Sequence, residues 1–179
     1  MEYLDIYDEN KVFTGRKIAR EESAKIGKGE YYLYVQCWII NSKGEILLTK
    51  RSQGRLHEGW WEPTGGCVTA GEDSITGIIR ELEEEIGVKV DKKELNFITT
   101  KKETKAVRSC FRDIYYIRKD IKIDELIFDP IEVCEAKWVS IEEFNKISNS
   151  NEMSPSLKFF TKEYDKIINK KTKGESIFS

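Results

Sequence analysis

The stretch from Asp73 to Ile86 constrains this chain more than any other segment. Ile75, Ile78, Ile79, Leu82 and Ile86, projected at ~100° per residue, fall within one apolar stripe of roughly 100°. A helix with such a face packs it against a core. Asp73 is placed to cap the N-terminus of this helix and Gly87 to end it. Glu81, Glu84 and Glu85 share a separate face, because they stand at i, i+3 and i+4. Like charges one turn apart repel and weaken a helix unless something positive meets them. Arg80 can reach Glu84 at i+4, but no basic side chain of the helix serves the whole cluster. A hard divalent cation does, and carboxylate oxygens suit Mg²⁺ or Mn²⁺.

Most of the remaining chain reads as strands. Leu4 to Tyr7 and Val12-Phe13 flank the turn-prone Asp8-Glu9-Asn10 and predict an N-terminal hairpin within residues 1–29. Gly27-Lys28-Gly29 then breaks the chain. Tyr31 to Ile40 predicts a buried strand, Asn41 to Gly44 a turn, and Glu45 to Lys50 a second strand antiparallel to the first. Arg51 to Gly59 is a polar loop, and Trp60 to Val68 a glycine-rich extended segment. Further strands are predicted over Asn96 to Thr100, Cys110 to Ile117 and Cys134 to Val139. Ser140 caps a short helix, Ile141 to Ile147, with Glu143 placed for a capping box. A final amphipathic helix lies within 155–168. Strands alternating irregularly with few helices predict an α/β sandwich with a mixed sheet rather than a doubly wound one.

At 179 residues the chain is predicted to form one domain over 1–168, with its core at 30–150 and a polar basic tail at 169–179. Its net charge of −2 argues against binding a nucleic-acid polymer or a membrane surface. No run approaches the ~18–20 apolar residues that span a bilayer, and the acidic N-terminus is not a secretory signal. His57 is the single histidine, which excludes multi-histidine zinc, haem and di-iron sites. Cys37, Cys67, Cys110 and Cys134 show no C-x-x-C spacing, and we read them as reduced, buried thiols of a cytoplasmic protein. Cys67 has no basic neighbour in sequence to lower its pKa and is read as inert.

Gly65-Gly66 lies just upstream of the acidic helix, where backbone can approach a ligand closely. Glu72, at the helix start, can reach Arg80 and lock loop to helix. Gly66, five residues, Glu72, seven residues, then Arg80-Glu81-Leu82-Glu83-Glu84-Glu85-Ile86-Gly87-Val88 resembles the Nudix box, G-x5-E-x7-R-E-U-x-E-E-x-G-U. All seven fixed positions match, a coincidence on the order of 10⁻⁸ at one start site for ~7% usage per residue. Gly59 to Gly66 is also similar to the family's usual lead-in, with Thr64 where proline is common.

The resemblance implies a Nudix-type α/β/α sandwich over about residues 30–150. It implies a loop-helix-loop that binds Mg²⁺ or Mn²⁺ and hydrolyses a small-molecule diphosphate linked to another moiety, such as a nucleoside diphosphate derivative. By position, Glu81, Glu84 and Glu85 become catalytic residues and metal ligands, with the Gly65 or Gly66 carbonyl beside them. Glu72, Arg80 and Gly87 become structural. One glutamate of the set, or an acid outside the box such as Glu132, activates water. Arg51 and Arg55 follow the second strand, where related proteins contact diphosphate, and a guanidinium fork suits phosphate. Trp60 is read as a stacking surface for substrate, Trp61 as structural, and His57 as an exposed loop residue. The family's habit implies a homodimer.

Leu4 to Asn10, followed by Thr14-Gly15, also resembles the isopentenyl-diphosphate-isomerase-like branch of the same proteins. The isomerase cysteine falls at Gly65 and a histidine at Cys67, and the strand from Cys110 carries Arg112 and Asp113 but no E-x-E. That metal site and acid–base pair cannot be assembled here. A non-catalytic ligand-binding module of this family is the other alternative, and such modules often erode the glutamates this chain keeps.

Overall fold

The computed structural model of the chain describes residues 1–105 and 108–174. In chain order its elements are β1 (Tyr3–Tyr7), β2 (Phe13–Ala19), β3 (Tyr32–Ile40), β4 (Ile46–Arg51), β5 (Trp61–Glu62), β6 (Thr64–Cys67), α1 (Ser74–Ile86), β7 (Asn96–Glu103), β8 (Cys110–Arg118), β9 (Val133–Val139), α2 (Ile141–Ser148) and α3 (Phe160–Gly174). The architecture is α/β, with a mixed sheet, helices and a separate N-terminal hairpin. Two compact units divide it: Met1–Trp38 with Pro63–Ile117 and Leu126–Phe128, and Ile39–Glu62 with Arg118–Glu125 and Asp129–Ser179.

In the first unit, β1 and β2 pair antiparallel, Leu4 opposite Ile18. Asp8 closes the turn by accepting the amides of Asn10 (2.8 Å) and Val12 (3.0 Å). Leu4, Ile6, Ile18 and Ile26 bury one small core, with Tyr32 and Cys67 packed on it. β2 outruns the apolar signal at Val12-Phe13. Its Thr14 to Lys17 stretch is exposed and held by the ladder rather than by burial. β3 pairs with β6 and β8, and β8 with β7. α1 lies on β6. Ile78, Leu82 and Ile86 are fully buried, whereas Ile75 and Ile79 are half-buried. Burying each such side chain is worth about 1.5–3 kcal/mol. Asp73 caps α1 by accepting the Thr76 amide at 2.7 Å, and Gly87 ends it at φ 71°, a backbone state that favours glycine.

In the second unit, the end of β3 (Ile39, Ile40) pairs antiparallel with β4, and β4 also pairs with β5 and β9. Trp61 is buried, with Lys50 Nζ 5.3 Å and Lys137 Nζ 4.5 Å from its ring centroid. Ser140 caps α2 by accepting the Glu143 amide at 3.2 Å. A 3₁₀ turn, Pro155–Phe159, precedes α3, so the regular helix begins later than its apolar pattern does. α3 then continues through residues read as tail, to Gly174, because lysine and asparagine between Ile168 and Gly174 tolerate a helix and no proline stops it. The rest of the expected tail, 175–179, lies outside the described residues. Among the described residues no helix is long and apolar enough to cross a membrane.

Candidate active site

The loop between β6 and α1 is fixed from two sides. From the hairpin, Tyr3 O accepts the Ala70 amide (2.8 Å), Asp5 Oδ2 the Gly71 amide (2.8 Å) and Glu2 Oε1 the Thr69 hydroxyl (3.1 Å). Arg20 in turn donates to Glu2 at 2.6 Å. Burial pushes the Glu2 carboxyl up, but the bond and charge of Arg20, with Thr69 and Arg80, together outweigh it and hold Glu2 below its usual range. From the helix, Arg80 Nε donates to both oxygens of Glu72 (3.0 and 3.2 Å), and Nη2 donates to Glu72 Oε2 and the Cys67 carbonyl (3.0 Å each). Nη1 donates to Glu81 Oε1 (2.8 Å) and Glu84 Oε2 (3.0 Å). One guanidinium therefore ties strand, loop and helix, and meets more of the acidic cluster than an i, i+4 contact would.

Glu81 is 7% exposed, and its carboxylate rests on Gly66. A Cβ at position 66 would stand 2.3 Å from Glu81 Cδ, so only glycine admits the carboxylate against β6. Burial lifts the Glu81 carboxyl above its ordinary value, with Arg80 opposing. Glu84 is exposed and Glu85 half-buried. The β3–β6 register sets the backbone. Leu33 O accepts the Val68 amide at 3.0 Å, a directly opposed hydrogen-bonded pair. Alternation makes Val35–Gly66 another such pair and turns the Gly65 carbonyl away from β3. That carbonyl accepts the Tyr34 hydroxyl at 3.2 Å.

Among the described residues, no three Asp, Glu, His or Cys side chains converge closely enough to hold an ion as they stand. Arg80 fans Glu81 and Glu84 around itself and takes one oxygen from each. The donor chemistry fits a hard divalent cation. It consists of carboxylate oxygens on one helix face, a second oxygen on each of Glu81 and Glu84, and an outward backbone carbonyl one residue from the Gly66 seat.

The remaining candidates lie in the second unit. Arg51 donates from Nε to the Leu56 carbonyl (2.7 Å) and bridges Glu62 at 2.5 Å. Arg55 bridges Glu132 at 2.6 Å, and its Nε is buried with no hydrogen-bond partner among the described residues. His57, exposed and at φ 58°, stacks on Trp60 with ring centroids 4.1 Å apart. Cys37 and Cys110 are buried as expected, but Cys134 is exposed and Cys67 half-buried. Cys134 is the extra residue where the β4–β9 register shifts between Lys50 and Arg51, next to exposed Glu135, and this bulge turns it to solvent despite cysteine's apolar preference. All four thiols are free, and burial pushes that of Cys67 up to about 11.

Sequence reasoning missed Tyr34, the hairpin's grip on the loop, and the His57–Trp60 stack. It also missed the pair of Arg112 with Glu103, Nε to Oε1 at 2.8 Å. Only a strand register could have revealed the first of these, since Tyr34 and Gly65 are far apart in sequence.

The family model of the NUDIX domain matches residues 31–160. An uncharacterized Nudix hydrolase of Listeria monocytogenes is 32% identical over 159 residues, 87% of this chain and 89% of its own. A second, from Listeria innocua, is 31% identical over the same shares. The crystal structure of DR0079 from Deinococcus radiodurans superposes with a TM-score of 0.74 at 22% identity, covering 90% of this chain and 98% of that one. An Ap4A hydrolase of C. elegans has the same fold, with a TM-score of 0.56 at 20% identity over 76% of this chain and 98% of its own.

Proposed function

The chain belongs to the Nudix hydrolase family, and from that premise we propose that it cleaves the phosphoanhydride of a nucleoside diphosphate derivative or another organic diphosphate. The observation that carries this reading is the Glu81 carboxylate seated on Gly66 while Arg80 clasps loop and helix around it. Glu81, Glu84 and Glu85 would hold Mg²⁺ or Mn²⁺, and of the two candidate carbonyls the outward one of Gly65 would stand beside them rather than that of Gly66, which faces Val35 in the β3–β6 ladder. The bound ion would neutralise diphosphate charge and lower the pKa of water. Phosphoryl transfer then asks the protein mainly for placement and charge. Glu81, buried and pressed against β6, keeps one carboxylate oriented. Arg80, held by Glu72, sets the angle of the helix that carries the acids. Arg51, Arg55 and Trp60 are substrate contacts in this reading, Glu132 orients Arg55, and Gly87 closes the helix. Residues 1–168 act as one domain, supported by a family match that runs through both units. Four free thiols support a reducing, cytoplasmic setting, and a homodimer is the assembly to be tested by sedimentation.

The test is phosphate release from a panel of nucleotide, dinucleotide and prenyl diphosphates with Mg²⁺ or Mn²⁺, beside a Glu84→Gln/Glu85→Gln variant, with products identified by mass. Turnover that disappears in the variant supports the reading. Equal turnover in both, or tight binding of one compound without turnover, overturns it.

A further inference from the structure

We propose that Tyr34 is a positioning residue for the Gly65 carbonyl, held in place by Arg112 and Glu103, and that this strut sets how strongly the site takes a divalent cation. The inference rests on the metal-dependent reading above.

The carbonyl of Gly65 points away from β3, so the ladder does not orient it. The Tyr34 hydroxyl does, at 3.2 Å. The tyrosine is itself braced. The Arg112 guanidinium carbon lies 4.5 Å from the Tyr34 ring centroid, and a cation over the ring draws electron density and strengthens the phenol as a donor. Arg112 is gripped by Glu103 at two points, Nε to Oε1 at 2.8 Å and Nη2 to Oε2 at 3.3 Å, and Lys105 approaches the same carboxylate at 3.2 Å. The Arg112 and Glu103 side chains are only 16% and 15% exposed. A buried ion pair is a weak source of stability, and apolar residues of like volume often do as well. What sets this pair apart is its place: its cation lies on the ring whose hydroxyl aims a backbone oxygen. A carbonyl steered by a neighbouring donor is the outer-shell arrangement that tunes metal sites.

Tyr34→Phe keeps the ring and the stack and removes only the hydroxyl. Mn²⁺ binding is measured without substrate, from the electron paramagnetic resonance signal of free Mn²⁺. Thermal unfolding checks the fold. We expect Tyr34→Phe to raise the Mn²⁺ Kd about tenfold, and to raise the Mn²⁺ concentration needed for turnover while kcat at saturating Mn²⁺ recovers. Arg112→Lys keeps the charge but loses the two-point grip, and shifts Kd in the same direction by less. An unchanged Kd in folded Tyr34→Phe overturns the strut. Should that variant unfold, an unchanged Kd in Arg112→Lys overturns it. Wild-type protein that fails to bind Mn²⁺, or binds it as well after Glu84→Gln/Glu85→Gln, removes the metal reading itself and the strut with it.

Discussion

Adding one methyl group at Gly66 and one at Gly65 separates what each glycine does. At position 66 the new carbon meets the end of a flexible side chain, 2.3 Å from Glu81 Cδ, where ordinary contact begins at 3.4 Å. The carboxylate must retreat by about 1 Å, and a misplacement of that size costs about 10²-fold in rate. The backbone of Gly66 is not in the left-handed region, so alanine adds no torsional strain there. Stability falls only by the lost Arg80–Glu81 bond, ~1 kcal/mol, because Arg80 keeps Glu72 and Glu84. At position 65 the carbon would instead stand 2.3 Å from the Val35 carbonyl oxygen and 3.0 Å from Gln36 Cα, both backbone atoms of β3. The strand must move, and a cost of ~3 kcal/mol is expected. At about 2–4 °C per kcal/mol, Tm falls by about 2–4 °C for Gly66→Ala and about 6–12 °C for Gly65→Ala. Circular-dichroism melting and phosphate release, run on both variants, read the two quantities separately. A Gly66→Ala protein that melts as early as Gly65→Ala, or that turns over at the wild-type rate, refutes the argument.

Asp73→Ala removes the α1 cap and should cost ~1 kcal/mol, lowering Tm by about 2–4 °C; an unchanged melt would show that the helix start is held by packing alone. Burial would lift the Glu103 carboxyl, but Arg112 and Lys105 hold it below its ordinary 4.5. Its contribution is therefore present above about pH 4.5 and is lost as pH falls through the lower folded value. Glu103→Gln should flatten the fall of the urea midpoint on the acid side of pH 4.5, and an unaltered slope would contradict this. Iodoacetamide at neutral pH should label exposed Cys134 quickly and spare Cys67, whose thiol stays protonated to about pH 11, until denaturant is added. Peptide mass spectrometry distinguishes the sites, and rapid native labelling of Cys67 would show that its burial is transient.

Local signals account for what was legible in the sequence. α1 was readable to its ends because stripe, Asp73 cap and Gly87 stop all lie within one short segment and agree. Glu72 and Arg80 could be paired on paper because helix geometry fixes their separation. β2 reaches beyond its apolar signal because the Thr14 to Lys17 stretch is exposed, held by its ladder and by polar side chains such as Thr14 on the Ile6 carbonyl, and such a strand leaves no apolar alternation. The reach of Tyr34 to Gly65 depends on which β3 residue faces which β6 residue, and a slip of one position would turn every side chain to the other face. The same is true of Arg112 and Glu103 across β7 and β8. Arg80 exceeded its expected role because a fork of five donors can serve several partners at once, which a tally of charges does not capture.

The grip of the hairpin on the loop at Thr69–Gly71 has a consequence for inheritance. The match to the family's domain model starts at residue 31, after the hairpin has ended, although the Listeria relatives align further toward the N-terminus. A chain begun at Tyr31 would retain every residue of the shared signature, yet leave the Ala70 and Gly71 amides and the Thr69 hydroxyl to solvent. The shape of the reactive loop is thus partly encoded outside the stretch that the domain model matches. Exchanging this hairpin for that of a relative would carry some of the donor's active-site geometry with it, while every signature residue stayed in place.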